Sequence, residues 1–380
     1  MSLDRIFNVA DARLVAKRTI PRVVFDYIDG GAEDEVTMGQ NVAAFRELAF
    51  RPRMAVAAEA PDLATTIFGT PLSMPVLLAP CGLVRLMHPD GAAGASRAAA
   101  AAGIVSVLST VAGSAPEDVA AEAPGPKWFQ LYKFGGLDAA DELVDRARTS
   151  GYEGLVITVD TNVFGRRERD LRHGISVPLR VGVKEALRIG PQMAARPRWA
   201  YTYARSQIER KRAGGDHHNV PDMDHSPYTW ADIEHFRARW NGPLLVKGVL
   251  TGDDAKRAVQ AGADGVIVSN HGGRQLEGAP ATIRVLPEVV EAVGSQAVVL
   301  LDGGIRRGGD VVKALALGAE AVLIGRAYLY GLAAGGQAGV AKVLDLLRGD
   351  MARTLALMGC PSVSALDASW LRMEHKADKG

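Results

Sequence analysis

Several short segments of the 380-residue sequence have residue types and spacings that chemistry requires. In SNHGGRQL (269–276) two glycines separate His271 from Arg274, which allows both side chains to turn toward one side. A guanidinium beside an imidazole disfavours the imidazolium, a poor choice for a structural histidine but one that keeps the ring available as a base. GRRERD (165–170) carries an arginine pair that, brought to the same place as Arg274, would form a carboxylate clamp through paired N–H donors. DGGIRRGG (302–309) and IGRA (324–327) are glycine-rich turns ahead of helical stretches. Such turns cradle a phosphate with backbone N–H groups, and Arg306 and Arg326 would neutralise it. Taken singly, each segment reads as surface charge in a turn, or as a structural histidine. Together they call for one scaffold that delivers them to a common place.

The elements that must do this are visible as short apolar runs at Val76–Ala79, Ile104–Leu108, Trp128–Leu131, Leu155–Val159, Leu244–Val246, Gly265–Val268, Val298–Leu301 and Ala321–Ile324. Most precede alanine- and charge-rich stretches with helical spacing, such as Gly91–Ala102, Ala139–Thr149, Asp253–Ala261 and Gly309–Leu317, that close at a glycine. Strand followed by helix, repeated eight times, predicts an α/β chain folded as a (β/α)8 TIM barrel. AGADGVIVSNHGG (261–273) and LGAEAVLIGRAYL (317–329) echo one another as barrel units would. In such a barrel chemistry sits at the C-terminal strand ends, and those tips carry Cys81-Gly82, Ser109, Gln130 with Tyr132, Thr158 with Asp160, Lys247, Ser269-Asn270-His271, Asp302-Gly303-Gly304 and Gly325-Arg326. A polar group or glycine at every tip predicts an extended polar ligand across the mouth.

A single domain over 1–380 is expected: a helical N-terminal cap over 1–70, with helical patterning at Val9–Lys17 and Pro21–Gly30; the barrel over 71–335; and a C-terminal helical segment over 336–380. About 85 residues separate Val159 from Leu244, so a long insertion, about 176–228, follows the fourth strand. Its stretch Arg180–Arg212 has nine Lys/Arg against two Glu, with Trp199, Tyr201 and Tyr203, before the polar His217–Ser226. It reads as a solvated excursion, or as a basic aromatic surface for a membrane face or an electron acceptor. Over the whole chain 44 basic residues balance 43 acidic ones, which gives no reason to expect a nucleic acid partner. Cys81 and Cys360 make neither a disulfide framework nor a metal-spaced cluster, so no metal is expected and a reducing cytoplasm fits. Met1–Ala10 lacks a basic-then-apolar leader, and no apolar run of about 18 residues occurs, so neither secretion nor membrane spanning is expected.

These segments, with YIDGGAEDE (27–35) and Asn41, WFQLY (128–132), TVDTN (158–162) and LLVKG (244–248), resemble the FMN-dependent 2-hydroxy acid oxidase/dehydrogenase family over nearly the whole chain, and (S)-mandelate dehydrogenases most in their motifs. The resemblance implies FMN as cofactor, a small 2-hydroxy acid as substrate and a homotetramer. It assigns His271 as the base and Asp160 as the carboxylate that orients it. Arg167 and Arg274 become the substrate clamp, with Tyr27 and Tyr132 completing the pocket. Lys247, Ser109, Gln130, Thr158 and Ser269 become contacts of the flavin ring, and Asp302, Gly304, Arg306, Gly325 and Arg326 contacts of its ribityl and phosphate. No GxGxxG strand–turn–helix unit is present to hold an adenine dinucleotide, in keeping with FMN rather than FAD.

Two positions bear on the substrate. Val111 stands where glycolate oxidases carry a bulky aromatic residue, and Gly82 where oxidases carry alanine, so space for a large group is expected and an aromatic, mandelate-like acid is favoured. The alternatives are an oxygen-reducing lactate/glycolate-type oxidase, a non-redox FMN isomerase, and a peptide-modifying flavoprotein on the same scaffold. The acceptor stays open between O2, a quinone and others. The expected location is cytoplasmic, with a peripheral position at the inner membrane face if the insertion binds there.

Overall fold

The computed structural model describes residues 3–56, 59–174, 183–212 and 227–373. The chain begins with helices α1 (Val9–Thr19), α2 (Arg22–Asp29) and α3 (Val36–Ala43), strand β1 (Leu48–Phe50) and a hairpin of β2 (Thr65–Ile67) and β3 (Thr70–Leu72). Eight strands then alternate with helices: β4 (Val76–Leu78), α4 (Gly91–Ala101), β5 (Ser106–Ser109), α5 (Pro116–Glu122), β6 (Lys127–Leu131), α6 (Gly136–Thr149) and β7 (Gly154–Thr158). Helices α7 (Glu168–Arg172), α8 (Val183–Ala194), α9 (Pro197–Arg212) and α10 (Trp230–Arg239) follow. The alternation resumes with β8 (Leu244–Val249), α11 (Gly252–Gln260), β9 (Gly265–Val268), α12 (Thr282–Val293), β10 (Val298–Asp302), α13 (Gly308–Ala316), β11 (Ala321–Ile324) and α14 (Arg326–Met358), and β12 (Leu371–Met373) pairs with β1.

Strands β4 to β11 pair in parallel and close into a barrel, each strand's ends lying within three residues of an apolar run read from the sequence. Their residues are almost all buried, as expected of a parallel sheet covered on both faces, with side chains inside and helices outside. Inward-facing Leu77, Val107, Trp128, Val156, Leu245, Ile267, Leu300 and Leu323 fill the interior, and Ile67 and Leu72 of the hairpin pack against them from below. The first seventy residues therefore divide between the two ends instead of capping one. The hairpin plugs the bottom, while α2 brings Tyr27 to the mouth. The hairpin is not apparent from local pattern, because each of its short strands buries a single apolar residue.

The insertion is anchored to the barrel's mouth at two points. The Trp199 indole is 8% exposed, donates to the Leu86 carbonyl and stacks on Tyr203. The Gln192 amide oxygen accepts from Val23 N–H at the start of α2. Helices α8 and α9 are thus anchored to the two segments that carry Tyr27 and Gly82, while most of their described side chains stay exposed or half-buried. Arg180 and His217–Ser226 lie outside the described residues. Among the described residues no helix is long and apolar enough to cross a membrane. Helix α14 kinks at Gly335–Gly336, where the Asp90 carboxylate accepts from Gln337 N–H and restarts the helix.

Candidate active site

The strand tips converge on a cavity of about 480 Å³. Its walls include Tyr27, Gly82, Val111, Tyr132, Arg167, Lys247, His271 and Arg274 at one end, and Asp302, Gly304, Arg306, Gly325 and Arg326 at the other. Ser109, Gln130, Thr158, Asp160 and Ser269 stand beside these residues but do not form the wall itself.

Histidine 271 adopts φ +57°, a left-handed conformation unusual for a residue with a Cβ. Its backbone N–H donates to Ser269 Oγ at 3.1 Å. Its Nδ1 lies 2.9 Å from Asp160 Oδ1, and its Nε2 is 3.5 Å from the Tyr132 hydroxyl, on the cavity side. An Nδ1–H donated to the carboxylate leaves the Nε2 lone pair facing the cavity. Burial pushes the imidazole below its ordinary range despite the opposing charge of Asp160. Burial works to raise the Asp160 carboxyl, but the charge and hydrogen bond of His271 outweigh it and hold it below the usual carboxylate range. Asp160 reaches this place because residue 248 is glycine, with φ +108°: a Cβ there would lie 2.7 Å from the Cβ of Asp160.

Lysine 247, 4% exposed, contacts Ser269 Oγ at 2.7 Å and Asp302 Oδ2 at 2.9 Å. Burial opposes its charge, yet Asp302 and Asp160 outweigh that and hold its pKa above the ordinary lysine value, so it is an ammonium. Arg274 lies over the Tyr27 ring at 5.1 Å and donates Nη1 to the carbonyls of Tyr27 and Gly30. Arg167 approaches the Arg274 carbonyl and the Gln275 side chain, a contact possible because a Cβ at Gly165 would collide with the Arg274 carbonyl oxygen. Burial, reinforced by Arg274, brings the pKa of Arg167 down to about 10, and that of Arg326 likewise. Buried guanidiniums that repel one another make the cavity a place for anions. Arg326 donates its three nitrogens to the carbonyls of Ile28, Gly272 and Gly30, so its charge, more than those donors, is what it presents to the cavity.

Several groups fit an FMN. Gln130 Nε2, Thr158 Oγ1 and Asp302 Oδ1 are buried without hydrogen-bond partners, though such atoms are nearly always satisfied. They lie at three different strand tips, as contacts of a heteroatom-rich ring and its polyol chain would. Gly303 and Gly304, with φ +93° and +85°, form the turn beside Arg306.

Sequence reasoning missed part of the wall. Phe134, Phe164, Leu83, Leu329 and Asp170 also line the cavity. The rings of Tyr132 and Phe134 are 5.0 Å apart, and those of Phe134 and Phe164 6.3 Å apart. YKF and NVFGRR lie within three residues of recognised site residues, which was the available signal. Gly82 opens less space than its small size suggested, since a Cβ there would meet Val111 Cγ2 at 3.0 Å and the Tyr27 hydroxyl at 3.1 Å.

The model of the FMN-dependent dehydrogenase family matches residues 16–373. A peroxisomal (S)-2-hydroxyacid oxidase of Arabidopsis thaliana is 41% identical over 374 residues, 98% of each chain. A pre-mycofactocin synthase of Mycobacterium tuberculosis is 45% identical over 374 residues, 95% of this chain and 93% of that protein. The crystal structure of the monotopic membrane protein (S)-mandelate dehydrogenase superimposes with a TM-score of 0.88 at 41% identity, covering 97% of this chain and all of that one. With its closed barrel, its match to the family model over nearly the whole chain and relatives that cover it end to end, this chain belongs to the FMN-dependent 2-hydroxy acid oxidase/dehydrogenase family, and its cofactor is FMN.

Proposed function

We propose that this chain oxidises an aromatic, (S)-mandelate-like 2-hydroxy acid to the 2-oxo acid. The observation that carries the reading is the apolar wall of Val111, Phe134 and Phe164 in the same cavity as Arg167, Arg274 and His271. The clamp takes the carboxylate, with the Tyr27 and Tyr132 hydroxyls completing the polar side, and a phenyl group then lies against the apolar side.

Oxidation of R–CH(OH)–CO2⁻ to R–CO–CO2⁻ releases two electrons and two protons. His271 Nε2 takes one proton, and the adjacent Asp160 stabilises the imidazolium that results. Ser109, Gln130, Thr158, Lys247 and Ser269 would hold the ring of FMN, and Asp302, Gly304, Arg306, Gly325 and Arg326 its ribityl and phosphate. When bound, FMN would accept the two electrons together with the second proton, and the Lys247 ammonium offers positive charge where the electrons arrive.

The test is anaerobic bleaching of the yellow holoenzyme by mandelate, lactate and glycolate in turn. Fastest bleaching by mandelate supports the reading; a preference for glycolate or lactate moves the assignment to the aliphatic oxidase type. A second reading is that the chain acts as a pre-mycofactocin synthase, which the 45% identity to that relative favours. Failure of every hydroxy acid in the panel would turn the assignment toward it. The proposal includes a homotetramer, checked by sedimentation, and a peripheral contact through the exposed Arg198, Tyr201 and Ile208 of α9, checked by flotation with anionic vesicles.

A further inference from the structure

We propose that Asn41, on the cap helix α3, is a positioning residue that holds the loop of His271 and the turn of Gly303–Gly304 in one register. The inference rests on the reading of His271 as the base.

Thr37 and Asn41, one helical turn apart on α3, are 0% and 2% exposed although both are polar. Asn41 and Asn270 exchange amide hydrogen bonds, Nδ2 to Oδ1 at 2.8 Å and the reverse at 2.9 Å. Backbone groups fix the orientation of both amides: Thr282 N–H donates to Asn41 Oδ1, and Gly273 N–H donates to Asn270 Oδ1. Asn270 precedes the left-handed His271, so this pair grips the loop where its conformation is least favourable by itself. On its other side Asn41 meets the seventh strand tip. A Cβ at Gly304 would run into the Asn41 carbonyl oxygen, and one at Gly303 would lie 3.4 Å from Asn41 Nδ2.

The contacts close into a ring. Thr282 Oγ1 donates to the Asp302 carbonyl, Asp302 meets Lys247, Lys247 meets Ser269, and Ser269 accepts from His271 N–H. Asn41 is the member of this ring contributed by the cap, so α3 ties the place where a proton is taken to the turn beside the cofactor phosphate.

The experiment compares Asn41→Ala with the wild type in three ways. These are the Kd of apo-protein for FMN by quenching of flavin fluorescence, the pH dependence of flavin reduction, and thermal unfolding. Loss of a buried hydrogen-bond partner predicts FMN binding weakened about tenfold or more. The acidic limb moves to lower pH as the His271–Asp160 pairing loosens. Asn270→Ala gives the same two changes, and the double variant adds little, because both act through one contact. A lower melting temperature with unchanged Kd and unchanged limb overturns the proposal. Should Asn41→Ala fail to fold, Asn41→Asp keeps the shape and turns the Nδ2 donor into an acceptor facing Asn270 Oδ1, and the same measurements apply. Normal flavin reduction by His271→Ala would sink the base assignment alone, while the FMN affinity of the Asn41 variants still decides the link to the phosphate turn.

Discussion

Asp160 Oδ1 and His271 Nδ1 lie 2.9 Å apart although 111 residues separate them, and both side chains are largely buried. The carboxylate sets the tautomer, and burial keeps the ring neutral until a proton arrives. That combination suits a base better than a structural ion pair, because a permanent imidazolium would have no lone pair to offer.

Replacing His271 by Ala should leave FMN bound and slow flavin reduction by about 10² to 10⁴-fold, the usual worth of a positioned base. Stopped-flow bleaching under anaerobic conditions measures it. Reduction at the wild-type rate would remove His271 from the mechanism.

The acidic limb of kcat/KM should fall below the ordinary histidine range, since burial lowers the imidazole pKa. The base works when neutral, so activity is present above that limb and lost as pH falls through it. Asp160→Asn removes the charge that holds the value up, which moves the limb further down while the rate drops for want of a partner to the imidazolium. A limb moved upward in this variant contradicts the pairing.

Changing Arg167 or Arg274 to Met should weaken transition-state binding by roughly 2 to 5 kcal/mol, because a desolvated carboxylate loses a charge partner. The wild-type enzyme should discriminate strongly against the methyl ester of its substrate, and the variants should not. Equal turnover of acid and ester by the wild type rules out the clamp.

Val111→Trp should fill the cavity beside Tyr27 and Gly82 and reverse the substrate order. Burial of a phenyl group at ~25 cal/mol per Å² is worth about 2 to 3 kcal/mol over a methyl, or roughly 30- to 150-fold in kcat/KM. An unchanged mandelate-to-lactate ratio in the variant would show that the phenyl group lies elsewhere, against Phe134 and Phe164 alone.

Asp29 is 4% exposed and accepts from Arg13, Arg169 and the Tyr330 hydroxyl, joining α1, α2, α7 and α14. Burial works against its charge, but these donors outweigh it and bring its pKa to about 2. A folded value below the unfolded one stabilises the protein fully above the ordinary carboxylate range, and the benefit is lost as pH falls through about 2. Asp29→Asn should therefore cost about 2 kcal/mol in urea unfolding at neutral pH, with the gap to wild type narrowing below about pH 4. A gap independent of pH would mean that the carboxylate charge contributes nothing.

The sequence by itself determined the barrel and much of its mouth. Strand and helix periods are local, and the polar tips follow the apolar runs directly, so His271, Lys247 and Arg326 could be placed at strand ends without knowing which strands are neighbours. Tertiary structure decided what no local period encodes. Asn41 and Asn270 meet across 229 residues, and Arg169 reaches Asp29 across 140. The short hairpin plugs the barrel because its Ile67 and Leu72 join the buried cluster that holds Leu77 and Trp128. Gly82 turned out to face Val111 and Tyr27 instead of open space, since the volume beside a glycine belongs to whatever packs there. The insertion was legible as basic and aromatic, but only its packing showed Trp199 turned inward and Tyr201 turned out. Each of these depends on close approach between distant segments, where a contact is specified by two surfaces and neither stretch of sequence carries it alone.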